Sequence, residues 1–337
     1  MLFNPSILAL MGVSFVVTLM LLLAAGFAVQ VLRHWDINSG SERQLNLERR
    51  TYLISTLVVF AFVAELVSLL LFIYNAEQLS SQFVGAMCAT GVLNINEWGW
   101  PALYFKIGVF FAGAAWLTLN RVDNKAPDYP LVRVKYALLL LLVPLVIAET
   151  WLQANHFLAM DADVITSCCG SLFSPEGQGV AATMSAVSPD TALFLLIAGA
   201  VVTLLSGSWF LWRSSGGLLF ATSSGVSFLL ALVAIVSCIA LYIYEHPQHH
   251  CPFCILKGGH DFMGYALYIP LFIATALSLG AGMLAPFKRR PSLHQIIADD
   301  SRYLVGLSLI FLLLFYAVAG YAIVGSNLTM MDVWWQK

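Results

Sequence analysis

The stretch GLLFATSSGVSFLLALVAIVSCIALYIY, residues 217 to 244, contains no charged residue. As a helix it is long enough to cross roughly 30 Å of hydrocarbon. It runs directly into EHPQHHCPFCILKGGHDF, residues 245 to 262. There Cys251 and Cys254 stand three apart among His249, His250, His260, Lys257 and Asp261. An apolar run followed by a knot of thiols, imidazoles and charges sets the theme for the whole chain.

Seven further apolar runs lie near residues 6–32, 52–75, 101–120, 136–158, 190–212, 262–286 and 303–325. With 60% apolar and 10% charged residues and a mean hydropathy of +0.85, the chain reads as an all-α polytopic membrane protein of eight spans. The lipid bilayer is thus its first partner. The first run exceeds the apolar core of a signal peptide and no small-residue cleavage site follows it, so it is expected to be retained. A net charge of −2 argues against a nucleic-acid partner. Polar loops such as RHWDINSGSERQLNLERR, residues 33 to 50, carry no nucleotide-binding pattern.

Basic residues set the expected orientation. Arg33, Arg43, Arg49, Arg50, Arg121, Lys125, Arg133, Lys135, Arg213, Lys288, Arg289, Arg290 and Arg302 fall on the odd-numbered loops, against Lys257 and Lys337 on the other side. Both termini and the loops carrying Cys88, Cys168, Cys169, Cys251 and Cys254 are therefore expected on the outer face, where thiols pair or carry redox traffic. In a bacterial inner membrane this is the periplasmic side. Cys238 lies within an apolar run and is expected to pack in a core.

Two segments resemble each other. Ile73-Tyr74-Asn75-Ala76-Glu77-Gln78 parallels Ile243-Tyr244-Glu245-His246-Pro247-Gln248. Cys88 to Asn94 parallels Cys251 to Lys257, and Ala102-Leu103-Tyr104 parallels Ala266-Leu267-Tyr268. Two parallel four-helix repeats are expected, 1–185 and 186–337, with Gly91 standing where the second copy has Cys254. The first half alone carries a loop with Asp161, Asp163, Cys168 and Cys169.

A CxxC pair at the mouth of a helix is a redox-active arrangement. The helix N-terminus, expected near Cys254, and cations such as Lys257, His249 and His250 favour the thiolate. Adjacent cysteines bridge each other only through a strained ring, so Cys168 and Cys169 are expected to bond elsewhere. Cys88 is a candidate partner for one of them.

The order of helix, cysteine motif at the next helix mouth, return helix and outer loop with a cysteine pair resembles the DsbB-type membrane thiol oxidoreductases. It is also similar to vitamin K epoxide reductase. CPFCILK resembles their cysteine motif followed by a cation. The resemblance implies an enzyme in which Cys251 and Cys254 exchange electrons with a membrane quinone bound near Cys254. Cys88, Cys168 and Cys169 would relay electrons to a periplasmic thioredoxin-like protein. It departs from that pattern in keeping its intact CxxC and its loop pair in different halves.

Two other readings stand beside this one. His249, His250, Cys251, Cys254 and His260 offer ligands suited to copper, zinc or a similar soft metal ion such as mercury. Alternatively the chain is a non-catalytic anchor subunit of a larger membrane complex, its cysteines structural.

Three ionisable residues interrupt the apolar runs. By helical rise, Lys106, Glu149 and Glu65 lie roughly 8, 13 and 15 Å below the outer ends of their spans. Similar depths suggest one shared interior, either a packing ion pair or a polar pocket and proton path serving quinone chemistry. Trp98, Trp100, Trp151, Trp334 and Trp335 read as interfacial anchors.

Overall fold

The computed structural model describes residues 4–161, 163–166 and 180–330. Cys168, Cys169, Trp334 and Trp335 lie outside the described residues. Among those described there is no strand. The helices are α1 (Pro5–His34), α2 (Glu42–Leu79), the short α3 (Ala89–Leu93), α4 (Gly99–Asp123), α5 (Val132–Leu158), the short α6 (Val180–Ser185), α7 (Pro189–Arg213), α8 (Gly217–Tyr244), α9 (Met263–Leu284) and α10 (His294–Val324). Eight of these, all but α3 and α6, are long and apolar enough to cross a membrane.

Local chemistry sets several ends. Asn4 caps α1 by accepting the Ser6 amide, and Pro5 occupies the first turn, where its missing N–H costs nothing. Ser188 caps α7 through the Thr191 amide, with Asp190 in the first turn and Arg213 in the last, matching the helix dipole. The SSGG stretch between α7 and α8 breaks the helix at Ser214, which takes left-handed backbone at φ 52°. Within α8, Ile235–Ile239 forms a π-helical turn.

The chain folds into two compact units. The first comprises Met1–Asn75, Ile95–Ala162 and Pro286–Asp300. In it α5 packs against both α1 and α4, around a core that includes Leu21, Phe27, Phe62, Trp116 and Tyr136. The Trp116 indole donates to the Lys135 carbonyl at 2.9 Å. Lys135 itself is fully buried and pairs with Asp123 at 2.7 Å, while the other Asp123 oxygen accepts the Leu131 amide. Such a charge is tolerated in a core because its partner and hydrogen bonds are supplied with it.

The second unit comprises Ala76–Asn94, Asp163–Ala285 and Ser301–Lys337. Here α8 packs against α7 and α9 through small and hydroxylic residues. Ser206 meets Ser223, Ser224 accepts from Ser278, and Ser227 meets the Tyr316 hydroxyl, all within 3.0 Å. Small residues let helix backbones approach where apolar burial offers no net drive.

Large apolar side chains stand exposed along the middle of the spans. Phe15 and Leu23 on α1, Phe60 on α2, Leu205 on α7 and Leu229 on α8 are all more than 60% accessible. Exposure on this scale is stable only against lipid, and the protein is integral to a membrane.

In the α8–α9 contact, a Cβ added at Gly282 would collide with the Ala221 side chain. Gly282→Val is expected to lower stability by about 1–3 kcal/mol through overpacking, read as a fall in melting temperature in detergent. The same substitution at Gly306, where a Cβ meets nothing within 4 Å, is the control.

Candidate functional site

Three buried sulfurs converge in the second unit. Cys88 Sγ lies 3.5 Å from Cys251 Sγ, and the Cys88, Cys251 and Cys254 sulfurs all fall within 4.8 Å of one another. None of the three residues is more than 6% exposed. At 3.5 Å Cys88 and Cys251 are in contact but not bonded to each other, since a disulfide spans about 2.05 Å. The Thr90 hydroxyl approaches the Cys251 sulfur at 3.3 Å.

The CPFC segment is held by its backbone. The Tyr244 hydroxyl at the end of α8 donates to the Cys251 carbonyl at 2.5 Å. The Tyr268 hydroxyl on α9 donates to the Pro252 carbonyl at 2.9 Å. Cys254 opens a single 3₁₀ turn, Cys254–Leu256, followed by extended Lys257 and a second turn, Gly258–His260. Asp261 and Phe262 then take left-handed backbone, and α9 begins only at Met263. A helix starting near Cys254 was the expectation from sequence. Two successive left-handed residues break the helical path there, so α9 does not begin at these sulfurs.

Cys88 precedes α3 in extended backbone. Its segment is joined to CPFC by Glu77, near the end of α2. One Glu77 oxygen accepts the Ala89 amide at 2.9 Å, and the other pairs with Lys257 at 3.4 Å. Lys257 also donates to the Met87 carbonyl. The Lys257 side chain is 38% exposed, so this pair adds at most about 1 kcal/mol to stability. Its consequence is positional: one carboxylate ties the residue after Cys88 to the residue three beyond Cys254.

Thr166 approaches the same place. Its amide donates to the Val84 carbonyl and its hydroxyl to the Gly91 carbonyl, on either side of Cys88. Gly91, the counterpart of Cys254 in the repeat reading, is buried so tightly that an added Cβ would lie 2.6 Å from the Ala86 Cα. A second cysteine has no room there.

The histidines are placed otherwise. His249 and His260 meet the Tyr244 ring edge-on, with centroids at 4.3 and 4.7 Å. His250 Nδ1 donates to the Val236 carbonyl at 3.1 Å, within the π-turn of α8. The convergent donor set among the described residues is the three cysteines, without an imidazole. Burial holds His250 below its ordinary imidazole range, helped by nearby His249 and opposed by the Val236 bond. His260 is lowered too, by burial and by His249, with Asp261 opposing. Cys238 is buried in the π-turn.

Lys106, Glu149 and Glu65 form a separate cluster in the first unit. Lys106 pairs with Glu149 at 2.7 Å and stands 4.0 Å from Glu65. The shared interior expected from their depths is observed.

Glu77, Thr90, Thr166, Tyr244 and Tyr268 were not identified as site residues from sequence. The two tyrosines did carry a signal, since both sit in the repeated segments. Their counterparts Tyr74 and Tyr104 are 47% and 59% exposed, so the match in sequence is not a match in environment.

Two outcomes are expected. Gly91→Ala displaces Ala86 and the Cys88 segment, costing about 1–3 kcal/mol and raising the alkylation rate of Cys88 as read by mass spectrometry. With folded histidine values depressed, the unfolded chain binds more protons below about pH 6.5. The His250 and His260 contribution is complete above that value and is lost as pH falls. Melting temperature should therefore drop between about pH 7.5 and about pH 5.5, less so in a His250→Asn, His260→Gln double variant.

No protein-family model, curated protein or solved structure matches the chain.

Proposed function

We propose that the protein is a membrane thiol–disulfide oxidoreductase centred on Cys88, Cys251 and Cys254, with a membrane quinone as its electron acceptor. The observation that carries the reading is the contact of a third, non-motif sulfur with the CxxC pair. With Cys251 and Cys254 joined as a disulfide, the Cys88 thiolate attacks Cys251. A Cys88–Cys251 bond forms, the 251–254 bond breaks, and Cys254 leaves as a thiolate. A thiol of the Cys168–Cys169 loop then attacks Cys88 and frees Cys251, and the Cys251 and Cys254 thiols would re-form their disulfide by passing two electrons and two protons to a bound quinone. Over one cycle a partner dithiol becomes a disulfide, and two electrons and two protons convert quinone to quinol.

The geometry supports a defined role for each group. Tyr244 and Tyr268 fix the CPFC backbone, and Glu77 with Lys257 keeps the two cysteine segments in register. Lys257 also places a positive charge three residues beyond Cys254, favouring a thiolate leaving group. In this proposal Cys168 and Cys169 pass the disulfide to a thioredoxin-like partner. The bonds from Thr166, two residues before Cys168, to the backbone flanking Cys88 support that order. By the distribution of basic residues, the site lies toward the outer, periplasmic face of a bacterial inner membrane.

A second reading is favoured by the same convergence. Three buried sulfurs within 4.8 Å form a thiolate set suited to a soft ion such as Cu(I), or to zinc with a fourth ligand.

The deciding experiment uses purified protein with a short-chain quinone and a dithiol donor, quinone reduction being followed by absorbance. Cys88→Ser, Cys251→Ser and Cys254→Ser are each expected to cut the rate at least about a hundredfold, while Cys238→Ser leaves it unchanged. Absence of quinone reduction, with stoichiometric copper or zinc that shields all three thiols from alkylation, would establish the metal reading instead.

A further inference from the structure

The first unit holds a second ionisable centre that the thiol chemistry does not use. Glu65 on α2, Lys106 on α4 and Glu149 on α5 are each at most 3% exposed, within segments that span the membrane. Lys106 donates to the Ser68 hydroxyl at 3.0 Å and pairs with Glu149 at 2.7 Å. Ser68 in turn reaches Glu65 Oε2 at 2.9 Å. The ammonium thus contacts one carboxyl directly and the other through a hydroxyl. Glu65 Oε1 is buried with no hydrogen-bond partner.

Charge counting decides what this arrangement holds. One ammonium and two carboxylates would leave a net negative charge in a hydrocarbon interior, where an uncompensated ion is costly. Among the described residues, Lys106 is the cation that pairs with these carboxyls. On α1, the residues from Pro5 to Gln30 include no ionisable group, and α1 faces α5 here with Ser14 and Thr18. On α4 and α5, Asp123 and Lys135 neutralise each other, and Lys135 lies about 21 Å along α5 from Glu149. Arg121 and Lys125 pair with Asp300. His156 stands about 10 Å from Glu149 along the same helix, its Nδ1 bonded to the Asn96 side chain at 2.8 Å.

We infer that Glu65, Lys106 and Glu149 form a proton-binding site, in which Glu65 holds one exchangeable proton and Glu149 is the counter-ion of Lys106. The ligand is H⁺. Direct contact with the ammonium makes Glu149 the ionised carboxyl, and the farther Glu65, with its unpartnered oxygen, is the carrier. A polar stripe of Glu149, Gln153 and His156, spaced four and three residues apart and all buried, continues from the site along one face of α5. The inference is independent of the thiol reading and stands on its own test.

That test is infrared spectroscopy of the full chain in lipid, following the C=O stretch of a protonated carboxyl at neutral pH. The wild type should show one such carboxyl in the membrane interior. Glu65→Gln removes it. Glu149→Gln removes it as well, because the remaining carboxylate then neutralises Lys106. Lys106→Met roughly doubles it, since neither carboxyl retains a counter-ion. A simple packing ion pair would give no band in the wild type and no change in either glutamine variant. The idea is overturned if Glu65→Gln leaves the spectrum unchanged, if Glu149→Gln keeps the band, or if added sodium removes the band at constant pH. Should Lys106→Met fail to fold, the two near-isosteric glutamine variants decide the matter alone.

Discussion

The constraint on which this structure depends is that a charge placed in hydrocarbon must bring its own counter-charge. A lipid-facing lysine or aspartate costs several kcal/mol, and the first unit meets that cost by pairing its buried charges. Lys106 sits with Glu149 and Glu65, and Lys135 with Asp123. Each pair joins residues on different helices or on opposite sides of a turn, so the electrostatic requirement also sets helix rotation. Once α4 and α5 are turned to bring Lys106 to Glu149, the buried faces bearing Trp116, Tyr136 and Leu139 follow.

In the second unit the helices meet through hydroxyls and small residues, and the polar work falls to the loops. The cysteine cluster is built almost entirely from backbone restraint. Tyrosines from α8 and α9 take carbonyls of the CPFC turn, and Glu77 accepts an amide beside Cys88 while holding Lys257. Three sulfurs are thereby brought together without a helix to carry any of them at regular spacing. The arrangement leaves the thiols as the only side-chain chemistry that CPFC contributes.

Much of the architecture was legible because bilayer thickness and helical rise leave little freedom in span length. All eight spans, the break at SSGG and the shared depth of Lys106, Glu149 and Glu65 could be read from spacing. The site was legible in part. Cys251 and Cys254 announce themselves by their own spacing, but their contact with Cys88 bridges 163 positions of sequence. Nothing local in Cys88-Ala-Thr-Gly91 encodes that meeting. Glu77 was hidden for a related reason: it reads as a polar residue ending a span, and its value lies in what its two oxygens touch. The apolar run from 262 marks the start of α9, but the helix expected near Cys254 does not form, because left-handed backbone at Asp261 and Phe262 is a tertiary outcome and Phe seldom adopts it unaided.

The π-helical turn at Ile235–Ile239 has a geometric consequence for the cysteines. An inserted residue in a helix advances everything beyond it by about 100° relative to a regular α-helix. Tyr244 lies beyond that insertion, and its hydroxyl is the nearer of the two that hold CPFC. A regular α8 would swing this phenol toward another quadrant of the bundle. The aim of Cys251 is therefore set in part by a phase shift made well before the motif begins.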